Sequence, residues 1–257
     1  MARPVWTHFW ALCALIAATL LYGTSAEAGS SLPALNIQID SQGQQQLTNA
    51  GQQVAVAWSI LSDGNSYIVN QVIDPAFSPM TVTFDASMAI YASYRAYAPM
   101  DTIRMEEVQP IVGGQLYAFN GTAFVQESLG VPGYVMVYYD APASSTQPIS
   151  IGFAAKQSDG SWNPASLTVL SQYVTSTMQM PAPKLLIFAA APATPGLVVP
   201  AASLRPVTSS ATNLAAVSSS TSLQTGRYLS VDLNASEQRT IHYDSNLHAF
   251  QYGAYPQ

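Results

Sequence analysis

Residues 115–125 contain the turn motif that most constrains how this chain can fold. The stretch reads Gln-Leu-Tyr-Ala-Phe-Asn-Gly-Thr-Ala-Phe-Val, and Asn120-Gly121 separates two arms whose side chains alternate between faces. A two-residue type I′ turn needs a positive φ at both central positions, and Asn-Gly is the pair that adopts this backbone most cheaply. We therefore predict a tight β-hairpin with Asn120-Gly121 as a type I′ turn.

Runs with the same strand-like pattern recur along the chain, and Asp63-Gly64 and Asp159-Gly160 supply two further hairpin-type turns. No segment of ten or more residues combines a clean 3.6-residue apolar period with capping residues, so helix is expected to be minor. The pattern predicts an all-β fold, an antiparallel β-sandwich, with a soluble β-barrel as the alternative. The other predicted strands cover residues 35–39, 54–60, 67–73, 80–84, 88–97, 103–108, 134–139, 149–155, 167–174, 184–189, 228–233, 239–243 and 247–252.

Two segments allow a second interpretation. Tyr91, Tyr94 and Tyr97 recur every three residues, which would also stripe one side of a helix. The aromatic content of residues 88–97 favours a strand, or a strand with a bulge. Gln44-Gln45-Gln46 lies in a polar stretch and is predicted to be a solvated loop.

The first 28 residues match the pattern of a secretory signal peptide. Arg3 gives a positively charged N-terminal region, and the apolar run Phe9–Tyr22 is shorter than a typical transmembrane helix. Ala26-Glu27-Ala28 then fits the small-x-small cleavage pattern. We predict cleavage after Ala28 and a secreted or periplasmic location, with an uncleaved N-terminal anchor as the alternative.

Residues 29–257 are predicted to form a single β-sandwich domain. Within them, residues 190–222 are rich in proline, serine and threonine with hardly a charge, and they are interpreted as a linker or an edge-wrapping segment. Three predicted strands follow it. They either complete the main sandwich or form a small hairpin appendage, and we favour the sandwich because three short strands bury too little apolar surface to stand alone.

Composition excludes several classes of function. Cys13, the only cysteine, lies within the N-terminal apolar run, so the chain beyond it has no disulfide, thiol catalysis or cysteine metal site. Leu12 precedes it and is not small, which argues against a lipid anchor. Only 9% of the residues are charged and the net charge is −6, so nucleic acid is not an expected partner. Anionic lipid headgroups are disfavoured for the same reason, and a membrane-surface partner stays open without being predicted.

The chain beyond residue 28 has two histidines, His242 and His248. If residues 244–246 form a hairpin turn, the two histidines pair across it with Cβ atoms about 4.5–5.5 Å apart. That spacing would let two imidazoles bind one metal ion with Asp244 as an oxygen donor. Because His-x-Asp-x₃-His is no established zinc spacing, we interpret the histidines as a polar cross-strand pair and predict neither a metal nor a cofactor.

Catalytic motifs are scarce. No Gly-x-Ser-x-Gly elbow follows residue 28, no spacing pairs two carboxylates, and there is no P-loop or dinucleotide fingerprint. A catalytic triad could still assemble in space, so the enzyme question stays open, and we favour a protein without catalysis. A secreted hydrolase that uses His242 or His248 is one alternative.

Aromatic residues are the one surplus in this sequence. Tyrosine combines a flat apolar face with a hydroxyl, which suits stacking on sugar rings or holding a small ligand. The alternative is that most of the set fills the core. Tyr138 and Tyr139 are adjacent in a predicted strand, so one of the pair should point away from the core. The candidate ligand-binding residues are Tyr91, Tyr94, Tyr97, Tyr138, Tyr139 and Trp162.

These observations predict an exported, non-catalytic binding or surface-interaction module that takes a carbohydrate or another small ligand through a tyrosine-rich surface. A membrane-active, cytolysin-like protein is the second alternative beside the hydrolase. The likeness to exported lectin-like and cytolysin-like sandwiches rests on fold class alone, and fold class does not imply function.

Overall fold

Twenty β-strands and one short α-helix are present in the part of the chain that the computed structural model describes. The described residues are 31–141, 147–207, 217–218 and 223–255. Strands account for 52% of the structure and helical turns for 8%, so the all-β prediction is confirmed. The predicted signal peptide and Cys13 lie outside the described residues.

The strands follow one another along the chain with a single helix, α1 (Ser41–Asn49), after the first. They are β1 (Ser31–Gln38), β2 (Gln53–Trp58), β3 (Ser66–Ile73), β4 (Met80–Asp85), β5 (Met88–Ser93), β6 (Glu107–Pro110), β7 (Gln115–Phe119), β8 (Phe124–Leu129), β9 (Tyr134–Tyr139), β10 (Ile149–Lys156), β11 (Trp162–Pro164), β12 (Thr168–Leu170), β13 (Thr175–Gln179), β14 (Lys184–Ala191), β15 (Val198–Pro200), β16 (Val217–Ser218), β17 (Gln224–Thr225), β18 (Leu229–Asp232), β19 (Thr240–Asp244) and β20 (Ala249–Tyr252). Short 3₁₀ turns cover Pro75–Phe77, Ala201–Ser203 and Ser236–Gln238.

These strands pair into four sheets. Sheet I has the order β20-β19-β1-β4, and sheet II has β11-β10-β5-β6 with β12 also on β10. Sheet III has β13-β9-β7-β8, and sheet IV has β15-β3-β2-β14-β17-β16 with β18 also on β14. Most described pairings are antiparallel, whereas β1 with β19 and β7 with β9 are parallel. One sheet curls into a half-barrel, and the whole is consistent with the predicted sandwich.

Some strands are buried on both faces. In β14, Leu185 and Ile187 face a main core that receives side chains from all four sheets. Leu186 and Phe188 on the other face belong to a second apolar cluster. Strands β2, β5 and β10 are divided between clusters in the same way. Such strands read as continuous apolar runs because neither face meets water.

Other strands are buried on one face only. In β4, Val82 and Phe84 are buried, and Thr81 and Thr83 between them are exposed. This is the alternation that a half-buried strand produces, and here the apolar pattern of the sequence predicts the inward face correctly.

The Asn120-Gly121 hairpin is confirmed, but the predicted turn type is wrong. The amide of Asn120 donates to the carbonyl of Ala123 at 3.2 Å, so the two central residues are Gly121 and Thr122. Only Gly121 has a positive φ, at 95°. A positive φ at the first central position alone is the type II′ pattern. The side chain of Asn120 caps the turn instead, because its Oδ1 accepts the amides of Thr122 and Ala123 at 3.0 Å each.

The two Asp-Gly turns are present and are one residue longer than a two-residue hairpin loop. Residues 63–65 connect the paired Ser62 and Ser66, with φ at 46° for Asp63 and 72° for Gly64. Residues 158–160 connect Gln157 and Ser161, whose backbone groups bond at 2.8 Å.

The strand predicted over residues 88–97 is correct only for its first six residues. Strand β5 ends at Ser93, and residues 94–97 turn away from the sheet. The hydroxyl of Ser150, the partner of Ser93 in the ladder, donates to the carbonyl of Arg95 at 2.8 Å. This bond holds the turning chain against the end of β10. The strand predicted at 103–108 lies further along, at β6.

The glutamine-rich stretch was predicted to be a loop, and that prediction is wrong because residues 44–46 lie inside α1. The helix begins where Asp40 Oδ1 accepts the amide of Gly43 at 2.6 Å. Leu47 is buried in the main core, and Gly43 packs against the ring of Tyr243. One apolar anchor and a good N-cap are therefore enough for this nine-residue helix.

The C-terminal part of the chain pairs with the earlier strands. Strand β15 extends sheet IV beside β3, β18 pairs with β14, and β19 pairs with β1. Residues 31–257 group as one compact unit. The interpretation of residues 190–222 as a linker or edge-wrapping segment stays a prediction, since residues 208–216 and 219–222 lie outside the described residues.

Candidate ligand-binding face

One face of sheet III is turned away from the main core, and we call it the open face. Residues directly opposite each other in a ladder share a face of the sheet. The register therefore sets the membership of the open face in rows across β13, β9, β7 and β8. These rows are Thr175, Tyr138, Ala118 and Val125; then Thr177, Met136, Leu116 and Ser128; then Gln179 and Tyr134.

The opposite face of the same sheet fills the main core. Val135, Val137 and Tyr139 of β9 are buried there, beside Tyr117 and Phe119 of β7. The ring of Phe119 lies 5.9 Å from that of Tyr139, so the sheet is anchored through aromatic contacts. Because this inner face is packed, side chains on the open face are held on a rigid support.

The open face is apolar and hydroxyl-rich. Leu116, Met136 and Tyr138 are partly exposed, and Val125 and Tyr134 are exposed. Three hydroxyl side chains and one amide surround them, and none of the ten positions carries a charge. This combination offers rings for stacking and neutral hydrogen-bonding groups at their edges.

Tyr138 is the predicted ligand residue that lies on the open face. Its neighbour Tyr139 points to the other side and is buried, as strand alternation requires. The expectation that one of this pair points away from the core is therefore confirmed. Tyr139 is a core residue, and we withdraw it from the candidate binding set.

Tyr91 is also a core residue. It is fully buried in β5, and its hydroxyl donates to the carbonyl of Ser166 at 2.7 Å. Burial raises the pKa of this hydroxyl well above its usual value, because the phenolate would lose its hydration. The recurrence of tyrosine at every third residue did not indicate that Tyr91 is buried. Tyr91 lies in β5, whereas Tyr94 and Tyr97 lie after the end of that strand.

Tyr94 and Tyr97 lie in the loop after β5, away from the open face. Tyr94 is 45% exposed and its ring is 6.3 Å from the ring of Phe119, at the end of sheet III. Burial, and then the charge of Glu107, raises its pKa. The hydroxyl of Tyr97 accepts the amide of Arg104 at 2.8 Å, and the guanidinium of Arg95 lies 4.6 Å from the centre of its ring.

Trp162 in β11 is partly buried against the third apolar cluster, together with Tyr97. The structure therefore does not bring the six predicted residues together. Sequence reasoning missed Tyr134 and Met136, which share the open face with Tyr138. The available indication was the sequence of β9, Tyr-Val-Met-Val-Tyr-Tyr, in which the outward positions are as apolar as the inward ones.

The predicted pairing of the two histidines is wrong. His242 lies opposite Gln251, because β19 continues through Asp244 and the loop covers the four residues 245–248 instead of the three residues 244–246. His248 lies in that loop with φ at 47°. His242 is buried, with its Nδ1 at 2.9 Å from the carbonyl oxygen of Gly253. Asp244 Oδ1 accepts the amides of Asn246 and Leu247 and so stabilises the longer loop.

A search for metal sites over the described residues finds no group of three His, Cys, Asp or Glu side chains that could hold a metal ion. Over the same residues, none of the helical segments has the length and apolar character needed to span a membrane. Comparisons of the chain with protein-family models, with curated proteins and with solved structures give no match.

Proposed function

We propose that this chain is an exported, non-catalytic binding module and that its open face binds neutral carbohydrate. The observation that carries the proposal is the composition of that face. Two tyrosines, one methionine and three aliphatic side chains lie among hydroxyl and amide groups, without a charge at any of the ten positions. Export rests on the pattern of residues 1–28 and is part of the same proposal.

The chemistry of the face favours sugar over charged ligands. A sugar ring presents C–H groups that pack on an aromatic face and hydroxyls that bond to neutral donors and acceptors. A phosphate or carboxylate ligand would need a lysine or arginine, and the face has neither. The same lack of cations disfavours an anionic lipid surface.

The spacing of the tyrosines favours a ligand with several rings. Tyr134 and Tyr138 are four residues apart on β9, which corresponds to about 13 Å along a strand. A single ring cannot contact both, whereas an oligosaccharide lying along β9 can. Met136 lies between them and continues the apolar surface.

The absence of acid–base groups at the ten positions supports binding without catalysis. Glycoside hydrolysis requires two opposed carboxylates at the scissile bond, and the ten positions carry no carboxylate and no histidine.

The experiment is a binding comparison of wild type, Tyr138→Ala and Tyr252→Ala on an array of neutral oligosaccharides. Tyr252 is 45% exposed on β20 and serves as the matched control away from the open face. We expect Tyr138→Ala to lose about tenfold in affinity, since an aromatic pair contributes about 0.5–1.5 kcal/mol. Equal binding by all three proteins would contradict the proposal. For export, intact mass of the secreted protein should show a chain that starts after Ala28.

A further inference from the structure

A concave region lies between β3 and β4, far along the chain from the open face. It is a groove of about 480 Å³. Its apolar floor includes Ile73 and Val82, which are nearly buried. The lining also includes Phe77, Gln53, Gln71, Thr81, Thr83 and Asp74.

Phe77 is the unusual member of this lining. It is 71% exposed, although it stands in a short turn whose backbone is well bonded. Its amide donates to the carbonyl of Asp74 at 3.2 Å, and Asp74 Oδ1 accepts the amide of Ala76 at 2.9 Å. On the other side, Ser78 Oγ accepts the amide of Ile39. The turn thus fixes a large apolar ring at the edge of the groove, in water.

From this geometry we propose that the groove is a second binding site, which takes a neutral sugar ring stacked on Phe77. The lining residues include amides and hydroxyls of the kind that bond sugar hydroxyls, with one carboxylate and no cation. The proposal rests on the proposed function for its ligand class, but its location is independent of the open face. Clefts that bind small ligands have volumes of about 300–1,000 Å³, and this groove lies in that range.

Two sites of similar ligand class would make the protein bivalent. The groove is formed by strands of sheets I and IV, and the open face belongs to sheet III. Where one polysaccharide spans both sites, the second binding event benefits from the effective concentration set by the first.

The test uses the full secreted chain and calorimetric titration with neutral hexaoses of gluco, manno, galacto and xylo configuration. Tyr138→Ala weakens the open-face site about tenfold, so the further loss on adding Phe77→Ala to it reports on the groove. We expect Tyr138→Ala to bind at least one hexaose, and the double variant Tyr138→Ala/Phe77→Ala to bind it at least tenfold more weakly. The control, Tyr138→Ala/Val112→Ala, truncates a loop side chain that is 64% exposed and should bind as Tyr138→Ala does.

The outcomes separate the two sites. If Tyr138→Ala alone abolishes all binding, or if the double variant binds as well as Tyr138→Ala, the groove proposal is overturned and the open face stands. If Phe77→Ala alone abolishes all binding, the open-face proposal is overturned and the groove stands. If no hexaose binds to wild type, both fail. Equal thermal midpoints of the variants verify that folding is unchanged.

Discussion

Strands β14 and β9 are both almost wholly apolar in sequence, and the protein uses them differently. Between Leu185 and Ala190, β14 is buried on both faces, because residues 193–204 and Leu223 contribute to a second cluster over its outer side. Strand β9 is buried on one face only, and none of the three apolar clusters in the described part of the chain includes Tyr134 or Tyr138. An apolar strand therefore becomes part of the core on both faces, or keeps one face exposed, according to what covers it.

The largest expected effect is on a residue of the covered face of β14. Phe188→Ala should lower the free energy of unfolding by about 3–5 kcal/mol, because it leaves a cavity where the ring is fully buried. Met136→Ala, on the open face of β9, should cost less than about 1 kcal/mol. Urea unfolding of both variants measures the difference. Similar losses would show that the face of β9 is covered in solution.

A second contrast uses the same conservative change at two tyrosines. Tyr91→Phe should cost about 1–3 kcal/mol, because the carbonyl of Ser166 would lose its partner inside the core. Tyr138→Phe should leave stability within about 0.5 kcal/mol, since its partly exposed side chain lies on the surface. The urea unfolding midpoints of the two variants measure the difference. A larger loss of stability for Tyr138→Phe than for Tyr91→Phe would contradict the assignment of Tyr91 to the core and of Tyr138 to the surface.

The hairpin that carries the edge of the open face supplies a third prediction. Gly121→Val should cost about 1–2 kcal/mol, because a β-branched residue would have to adopt a positive φ. Thr122→Val, at the adjacent position, should cost less because its φ is not positive. If Gly121→Val unfolds at the wild-type midpoint, the turn has a different backbone from the one described here.

A smaller effect should appear at alkaline pH. Burial, and then the charge of Asp244, raises the pKa of Tyr243 to about 12. The unfolded chain ionises this tyrosine near its usual pKa of about 10. Folding therefore retains the proton, and the stabilisation is complete below pH 10 and is lost as the pH rises from 10 to 12. Urea unfolding at pH 9 and pH 11 should show a smaller decline for Tyr243→Phe than for wild type. A decline equal to that of wild type would exclude this cause.

Sequence patterns predicted the strands well where local chemistry decides the structure. The alternation in β4 and the turns at Gly64, Gly121 and Gly160 follow from side-chain burial and from the need for a positive φ. Sequence patterns could not predict which face of an apolar strand is covered, because the covering segments are distant in the chain. The helix α1 escaped prediction because a single buried leucine anchors it and glutamines give no apolar period.

Loop length explains the remaining errors at the candidate sites. The histidine pairing failed because the loop begins one residue later than expected, after Asp244, and is one residue longer, which changes which residues lie opposite each other. The groove beside Phe77 could not be foreseen, since it needs β3 and β4 to be placed in space.

The most direct test of the open face is hydroxyl-radical footprinting of the tyrosines, with and without a bound neutral hexaose. In the free protein, Tyr134 and Tyr138 should be oxidised readily and Tyr91 and Tyr139 should be protected. Saturation with the hexaose should protect Tyr134 and Tyr138 and leave Tyr252 unchanged. Equal oxidation of all four tyrosines in the free protein, or a bound hexaose that leaves Tyr138 as reactive as before, would contradict the assignment of this face as the binding surface.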